Sequence, residues 1–296
     1  MHTTLLPNTS AKPISAIGVG VMPFSRPGRT IDEAVSVLHY CLNAGITLLN
    51  TADVYAPSAA EMGHNEIVVR EVLNQWNGDK SKIIVVTKNG IVRTGLDWNR
   101  DGSKDYLLRA AEKSVANLGF VPDLILHHRI DRSRPFAEQA KAMAAVHQAG
   151  FAQRIGFSNV TSAEYDIAQE ETGGIVSAIE NERSPRFRDH TDVVERCERD
   201  QIAFLAWSPL GGEKDAKDLG SFFPAFNEVA KHLDVSAQMV ALAWLRTHSR
   251  VVIPIPGFTR ISTAQDSIDS TELVLNSDQI EFLNASPAGD GSVYPD

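Results

Sequence analysis

The sequence predicts an α/β protein folded as a (β/α)8 barrel, the TIM-barrel class, and three observations predict it. Short apolar or β-branched runs alternate with segments of helical periodicity along the chain. The runs are continuously apolar, as strands of a parallel sheet covered by helices must be. Polar residues recur one run after another at the C-terminal ends, where such barrels gather their function. A length of 296 residues suits one barrel of this kind, so a single domain over residues 1–296 is expected.

Eight runs read as strands in chain order: ISAIGVG from Ile14, ITLLN from Ile46, IIVVT from Ile83, DLILH from Asp123, RIGFS from Arg154, VSAIE from Val176, IAFLAW from Ile202 and VVIPIP from Val251. Helical segments lie between them: EAVSVLHYCLNAG after the first, NEIVVREVLNQW after the second, YLLRAAEKSVANLG after the third and AQMVALAWLRTH after the seventh. Start signals support these helices. Thr30 with Glu33, and Thr161 with Glu164, fit the capping box, in which a hydroxyl and a carboxylate each take one free backbone N–H. Pro135 suits a first helical turn, where its missing donor costs nothing. An open, doubly wound sheet would want a third glycine after the first strand. Gly18 and Gly20 are followed by Val21, Met22 and Phe24 with no glycine in that place, which disfavours it.

The polar residues at the strand ends are Asn50, Lys88, His128, Ser158 with Asn159, Glu180, Ser208, and Thr259 with Arg260. Strand alternation puts Ile46, Leu48 and Asn50 on one face, and Leu124, Leu126 and His128 on one face. His127 then points away from His128, so the adjacent pair does not chelate one metal. No other His, Asp or Glu cluster has zinc spacing, and no metal site is expected.

Cys41 and Cys197 are the only cysteines and lie far apart in helix-like segments, as reduced core thiols of a cytoplasmic protein would. The start MHTTLLPNTSAKP lacks a basic segment followed by an apolar run, and no stretch approaches a membrane span. A net charge of −9 opposes a nucleic-acid or anionic-membrane surface. A soluble protein with neither partner is expected.

Six motifs then stand in order on these strand ends: LNTADVY with GHNE, VVTKNG, DLILHHRID, RIGFSNV, AFLAWSPLGG and VVIPIPGFTR. Through them the chain resembles the aldo-keto reductases along nearly its whole length. The resemblance implies reversible hydride transfer between a nicotinamide cofactor and a carbonyl or alcohol, with NADP(H) preferred and NAD(H) admissible. It implies Tyr55 as the general acid, Lys88 as the cation whose field eases its proton loss, His128 as the group that orients the substrate oxygen, and Asn50 as their neighbour.

For the cofactor, the resemblance places Gly20 and Met22 beside it. Ser158, Asn159 and Glu180 fall at the nicotinamide carboxamide, and Ser208, Pro209, Leu210, Gly211 and Gly212 along the pyrophosphate. Gly257 and Thr259 lie near it, Arg260 meets the 2′-phosphate, and Thr263, Asp266 and Ser267 meet the adenosine end.

The chain departs from the family pattern where the usual aspartate is Asn50, the usual glutamine is Glu180, and the usual stacking aromatic is Arg183. Asn50 removes a negative charge next to Lys88, which leaves that lysine less compensated. Two functions stay open: a reductase or dehydrogenase, or a nucleotide-binding regulatory or partner protein with weakened turnover, as the related potassium-channel β subunits illustrate. The segment from 89 to 103, with Trp98, is expected to wall the substrate pocket, and the short tail after Leu283 to add little.

Overall fold

The computed structural model describes residues 1–294. Eight parallel strands form one sheet in chain order: β1 (Val19–Gly20), β2 (Leu48–Asn50), β3 (Ile84–Asn89), β4 (Leu124–His127), β5 (Arg154–Ser158), β6 (Val176–Glu182), β7 (Ala203–Trp207) and β8 (Val252–Pro254). Each overlaps one of the eight expected runs. The first run is divided, however, because Ile14–Ser15 pairs antiparallel with Thr3–Thr4 and only the second half of ISAIGVG enters the barrel.

The sheet curls until its edges meet. Gly18 and Gly20 donate from β1 to the carbonyls of Pro254 and Pro256, each at 2.9 Å, and Gly20 bridges Gly257. A proline accepts but cannot donate, so at positions 254 and 256 this seam draws donors from β1 alone. Gly18 also packs closely: a Cβ there would lie 2.5 Å from Leu48 Cδ2, which would have to shift.

Eight helices ring the strands: α1 (Ile31–Asn43), α2 (His64–Gln75), α3 (Lys104–Leu118), α4 (Phe136–Gln148), α5 (Ser162–Thr172), α6 (Thr191–Arg199), α7 (Ala237–Thr247) and α8 (Ile261–Asp269). Helix α1 packs on both α2 and α8, so the two ends of the ring meet. Both expected capping boxes form, at Thr30 with Glu33 and at Thr161 with Glu164. Pro135 stands one position earlier than expected, at the N-cap of α4, where its carbonyl accepts from Glu138. Further helices at Pro224–Leu233 and Ser277–Ala285 pack Phe226 and Leu283 around Trp244 of α7 in an apolar cluster of their own.

The N-terminal hairpin seals one end of the barrel. Leu6 and Ile14 are fully buried in the main core, Thr9 bonds Ser177 O and Ala203 N at the starts of β6 and β7, and Lys12 pairs with Asp123 at 2.6 Å. Access is therefore left to the C-terminal strand ends. Cys41 and Cys197 are buried and free, and burial pushes the Cys41 thiol up to about 12. Among the described residues no helix is long and apolar enough to cross a membrane.

Candidate active site

Strand alternation carries Asn50, His128, Ser158 and Glu180 to the rim of a cavity of about 790 Å³ at the C-terminal end of the barrel. Lys88 comes from the same layer but lies beneath the floor, with no exposure at all. An ammonium buried this deeply needs partners in full. It donates to Asn50 Oδ1 at 2.6 Å and to Thr51 O at 2.9 Å, and it lies 3.3 Å from Glu180 Oε1. Asn50 Nδ2 in turn donates to Glu180 Oε2 at 2.6 Å. Burial works against the charged lysine, but Glu180 and Tyr55 outweigh it and hold Lys88 above its ordinary value. Burial raises Glu180 against the pull of Lys88 and Asn50.

Tyr55 reaches the cavity from the loop after β2, with its hydroxyl 3.5 Å from Lys88 Nζ. The GHNE motif holds that loop. Gly63 N donates to Asp53 O and Asn65 N to Tyr55 O, while the buried Asn65 side chain bonds Thr51, Ser25 and Val21 O. Burial pushes the Tyr55 phenol above its ordinary value; Lys88 opposes the rise and Glu180 adds to it.

His128 meets Tyr55 edge to face, and its Nδ1 is buried without a hydrogen-bond partner among the described residues. Burial first, then the charges of Lys88 and Arg129, hold His128 well below the usual imidazole value, so the ring is neutral at physiological pH. His127 points the other way, as alternation required, with Nε2 at 2.7 Å from Gln139 Oε1.

The rest of the rim is built from backbone in unusual conformations. Asn159 and Ser208, which follow β5 and β7, have φ of 62° and 45°, rare for residues with a side chain. Gly20, Met22, Pro209, Leu210 and Gly212 line the same cavity, as do Gly257 and Thr259. Asn159 is fixed by donating to His128 O and Ser158 Oγ and by accepting from Trp207 Nε1.

The chain as a whole matches known proteins. The aldo/keto reductase family model matches residues 16–286. The chain belongs to the aldo/keto reductase family. It is 30% identical to an uncharacterized oxidoreductase of Schizosaccharomyces pombe over 92% of this chain and 86% of that protein. It is also 30% identical to the 6-dehydroglucose reductase of Novosphingobium aromaticivorans, over 89% and 88% of the two chains. Among solved structures, the aldo-keto reductase of Klebsiella pneumoniae in complex with NADPH superposes with a TM-score of 0.78 at 21% identity, covering 96% of this chain and 95% of that one.

Within this aldo/keto reductase the expected cofactor residues divide into two sets. Those at the ends of β1 and β5 to β8 face one cavity, except Gly211, which stands outside its lining. Arg260, Thr263, Asp266 and Ser267 stand apart from its lining, at the start and along the length of α8. The Arg260 guanidinium is exposed, 3.4 Å from Thr263 Oγ1. Asp266 accepts from Ser236 at 2.8 Å, and Ser267 is buried with its hydroxyl donating to Thr263 O.

Three expectations are corrected. Lys88 does not lack a carboxylate, because Glu180 supplies one from the far side of the barrel. Both Glu180 oxygens are thereby engaged with Lys88 and Asn50, which turns the carboxylate toward the lysine. Arg183 is not on the cavity wall; its guanidinium is buried and donates to the carbonyls of Arg188 and Asp189.

The segment from 89 to 103 is a hairpin, Ile91–Thr94 with Asp97–Arg100, and it carries Trp98 to the cavity with Arg93 stacked on the ring. The C-terminal tail contributes as well, contrary to expectation. Tyr294 lines the cavity beside Trp207, its carbonyl accepts from Arg129, and Glu182 accepts from Val293 N and Ser292 Oγ. Arg129 and Trp207 were legible inside the motifs HHRID and AFLAW, whereas nothing local marks Tyr294.

Proposed function

We propose that the protein is an NADP(H)-dependent oxidoreductase that interconverts a carbonyl compound and its alcohol, with Tyr55 as the general acid and base. The observation that carries this reading is the meeting of Tyr55 and His128 at one cavity, with the buried Lys88 ammonium 3.5 Å from the Tyr55 hydroxyl. Reduction needs a proton at the developing alkoxide, and a phenol beside a fixed cation delivers it. Lys88 stabilises the phenolate left behind, and neutral His128 bonds the substrate oxygen and orients it.

The cavity suits a nicotinamide nucleotide. The left-handed turns at Asn159 and Ser208 and the glycine at 212 bring backbone to its wall. Ser158 and Asn159 would take the carboxamide, and residues 208–212 the pyrophosphate. Arg260, at the N-terminus of α8, would take a 2′-phosphate, where a guanidinium and the helix end both favour a dianion. When bound, the dihydronicotinamide supplies the hydride.

Relatives named for 6-dehydroglucose reduction and for pyridoxine 4-dehydrogenation support small polar carbonyls as the substrate class. Trp98, half exposed on its hairpin, would wall the substrate side. The test is the fall of NADPH absorbance when the purified protein meets a panel of aldehydes, ketones and keto sugars. No fall with any of them would set the reading aside.

A further inference from the structure

We propose that Glu180 is the counter-ion of Lys88 and thereby sets the proton affinity of the Lys88–Tyr55 pair, a positioning role exerted from the end of β6 rather than from the end of β2. The part of this inference that concerns turnover rests on the oxidoreductase reading above; the electrostatic part does not.

Lys88 is wholly buried, and an ammonium out of water is tolerated only when paired. Asn50 Oδ1 and Thr51 O are neutral acceptors, so the balancing charge is the Glu180 carboxylate at 3.3 Å, itself only 3% exposed.

Asn50 completes the arrangement. Its amide oxygen accepts from the ammonium while its amide nitrogen donates to the carboxylate, a double role open to an amide and closed to a carboxylate. An aspartate at 50 together with Glu180 would crowd two carboxylates around one lysine, and one of them would have to hold a proton. Asn at 50 and Glu at 180 therefore form a matched set: one carboxylate balances the ammonium, and one amide bridges the two charges.

The consequence falls on Tyr55. The groups facing the pair are Glu180 from β6, His128 at the end of β4, and Arg129 beside it. His128 is neutral, so Glu180 is the negative charge that opposes proton loss from the pair. Removing it should release the first proton at lower pH, and restoring a carboxylate at position 50 should reverse the change.

The experiment compares wild type, Glu180→Gln, Asn50→Asp and the double exchange. The phenolate absorbance of Tyr55 is isolated by subtracting the spectrum of the same protein carrying Tyr55→Phe, and it is titrated without cofactor. Glu180→Gln is expected to move the Tyr55 ionisation down by about one pH unit or more, and the double exchange to return it toward the wild-type position. The high-pH limb of carbonyl reduction should follow the same order.

A titration that Glu180→Gln leaves in place or moves upward, or that the exchange does not return, overturns the assignment. Where Glu180→Gln does not fold, the double exchange keeps one carboxylate beside Lys88 and should fold and titrate like wild type; its failure also overturns the assignment. Because the spectroscopic arm needs no turnover, a protein inactive on every carbonyl still decides the role of Glu180. An active protein with an unmoved phenolate loses this assignment and keeps the oxidoreductase reading.

Discussion

The rings of Tyr55 and His128 meet edge to face, their centroids 5.6 Å apart at an interplanar angle of 85°. One comes from a loop held by α2 and the other from the end of β4, so the two polar tips converge without any sequence proximity. Tyr55→Phe keeps this packing and removes only the hydroxyl. Turnover should fall by roughly two to four orders of magnitude with NADPH affinity nearly intact. Steady-state rates together with a fluorescence titration of NADPH check both halves, and undiminished turnover would remove Tyr55 from the mechanism.

The same pair bears on pH dependence. Burial keeps His128 neutral, and it keeps the Tyr55 proton in place above the ordinary phenol range. A general acid fails as pH rises through its own pKa, so kcat/KM for reduction should stay flat from about pH 6 to about pH 9 and decline only above that. An inflection near pH 6.5 that vanishes in His128→Gln would show that the histidine is protonated after all.

Arg260 tests the cofactor. A charge-assisted contact to a 2′-phosphate contributes about 1.5 to 3 kcal/mol, so NADPH should bind roughly ten- to a hundredfold more tightly than NADH. Arg260→Ala should erase most of that difference with little change for NADH. Equal affinities in the wild type would contradict the assignment.

Behind the Tyr55 loop, Asp53 is buried, with Oδ2 accepting from Asn89 Nδ2 at 2.9 Å and Oδ1 left without a partner. Burial, then the neighbouring Glu66, raise its pKa well above the usual carboxylate value. The folded state thus binds this proton more tightly than the unfolded chain does. The stabilisation is fully present below the unfolded value of about 3.9 and is lost as pH rises through the folded one. Asp53→Asn should therefore raise Tm at neutral pH, with the gain vanishing in acid. Melting curves that run parallel across the pH range would refute this.

Tyr294 closes the cavity from the tail, held by Arg129 and by the contacts of Glu182 with Val293 and Ser292. Tyr294→Ala opens that wall without touching Tyr55, Lys88 or His128. KM for the carbonyl should rise roughly three- to tenfold while kcat changes less. A KM that does not move would show that substrate never reaches the tail.

The sequence by itself determined the alternation of strands and helices and the shared faces that carry Asn50 and His128. Those properties follow from local periodicity, in which every second residue of a strand faces the same way. It also determined the family, since the motifs lie on consecutive strand ends. Only the tertiary structure decided which of those side chains meet. Asn50 and Glu180 are 130 residues apart, and their contact exists because the sheet closes and brings β6 opposite β2. Aligned position alone therefore misread the charge balance around Lys88, and it set Arg183 on a wall from which its buried guanidinium is turned away. The tail was illegible for the same reason: its grip on Glu182 and Arg129 is a pairing of distant residues, and no spacing within the chain encodes where a closed barrel will bring two such segments together.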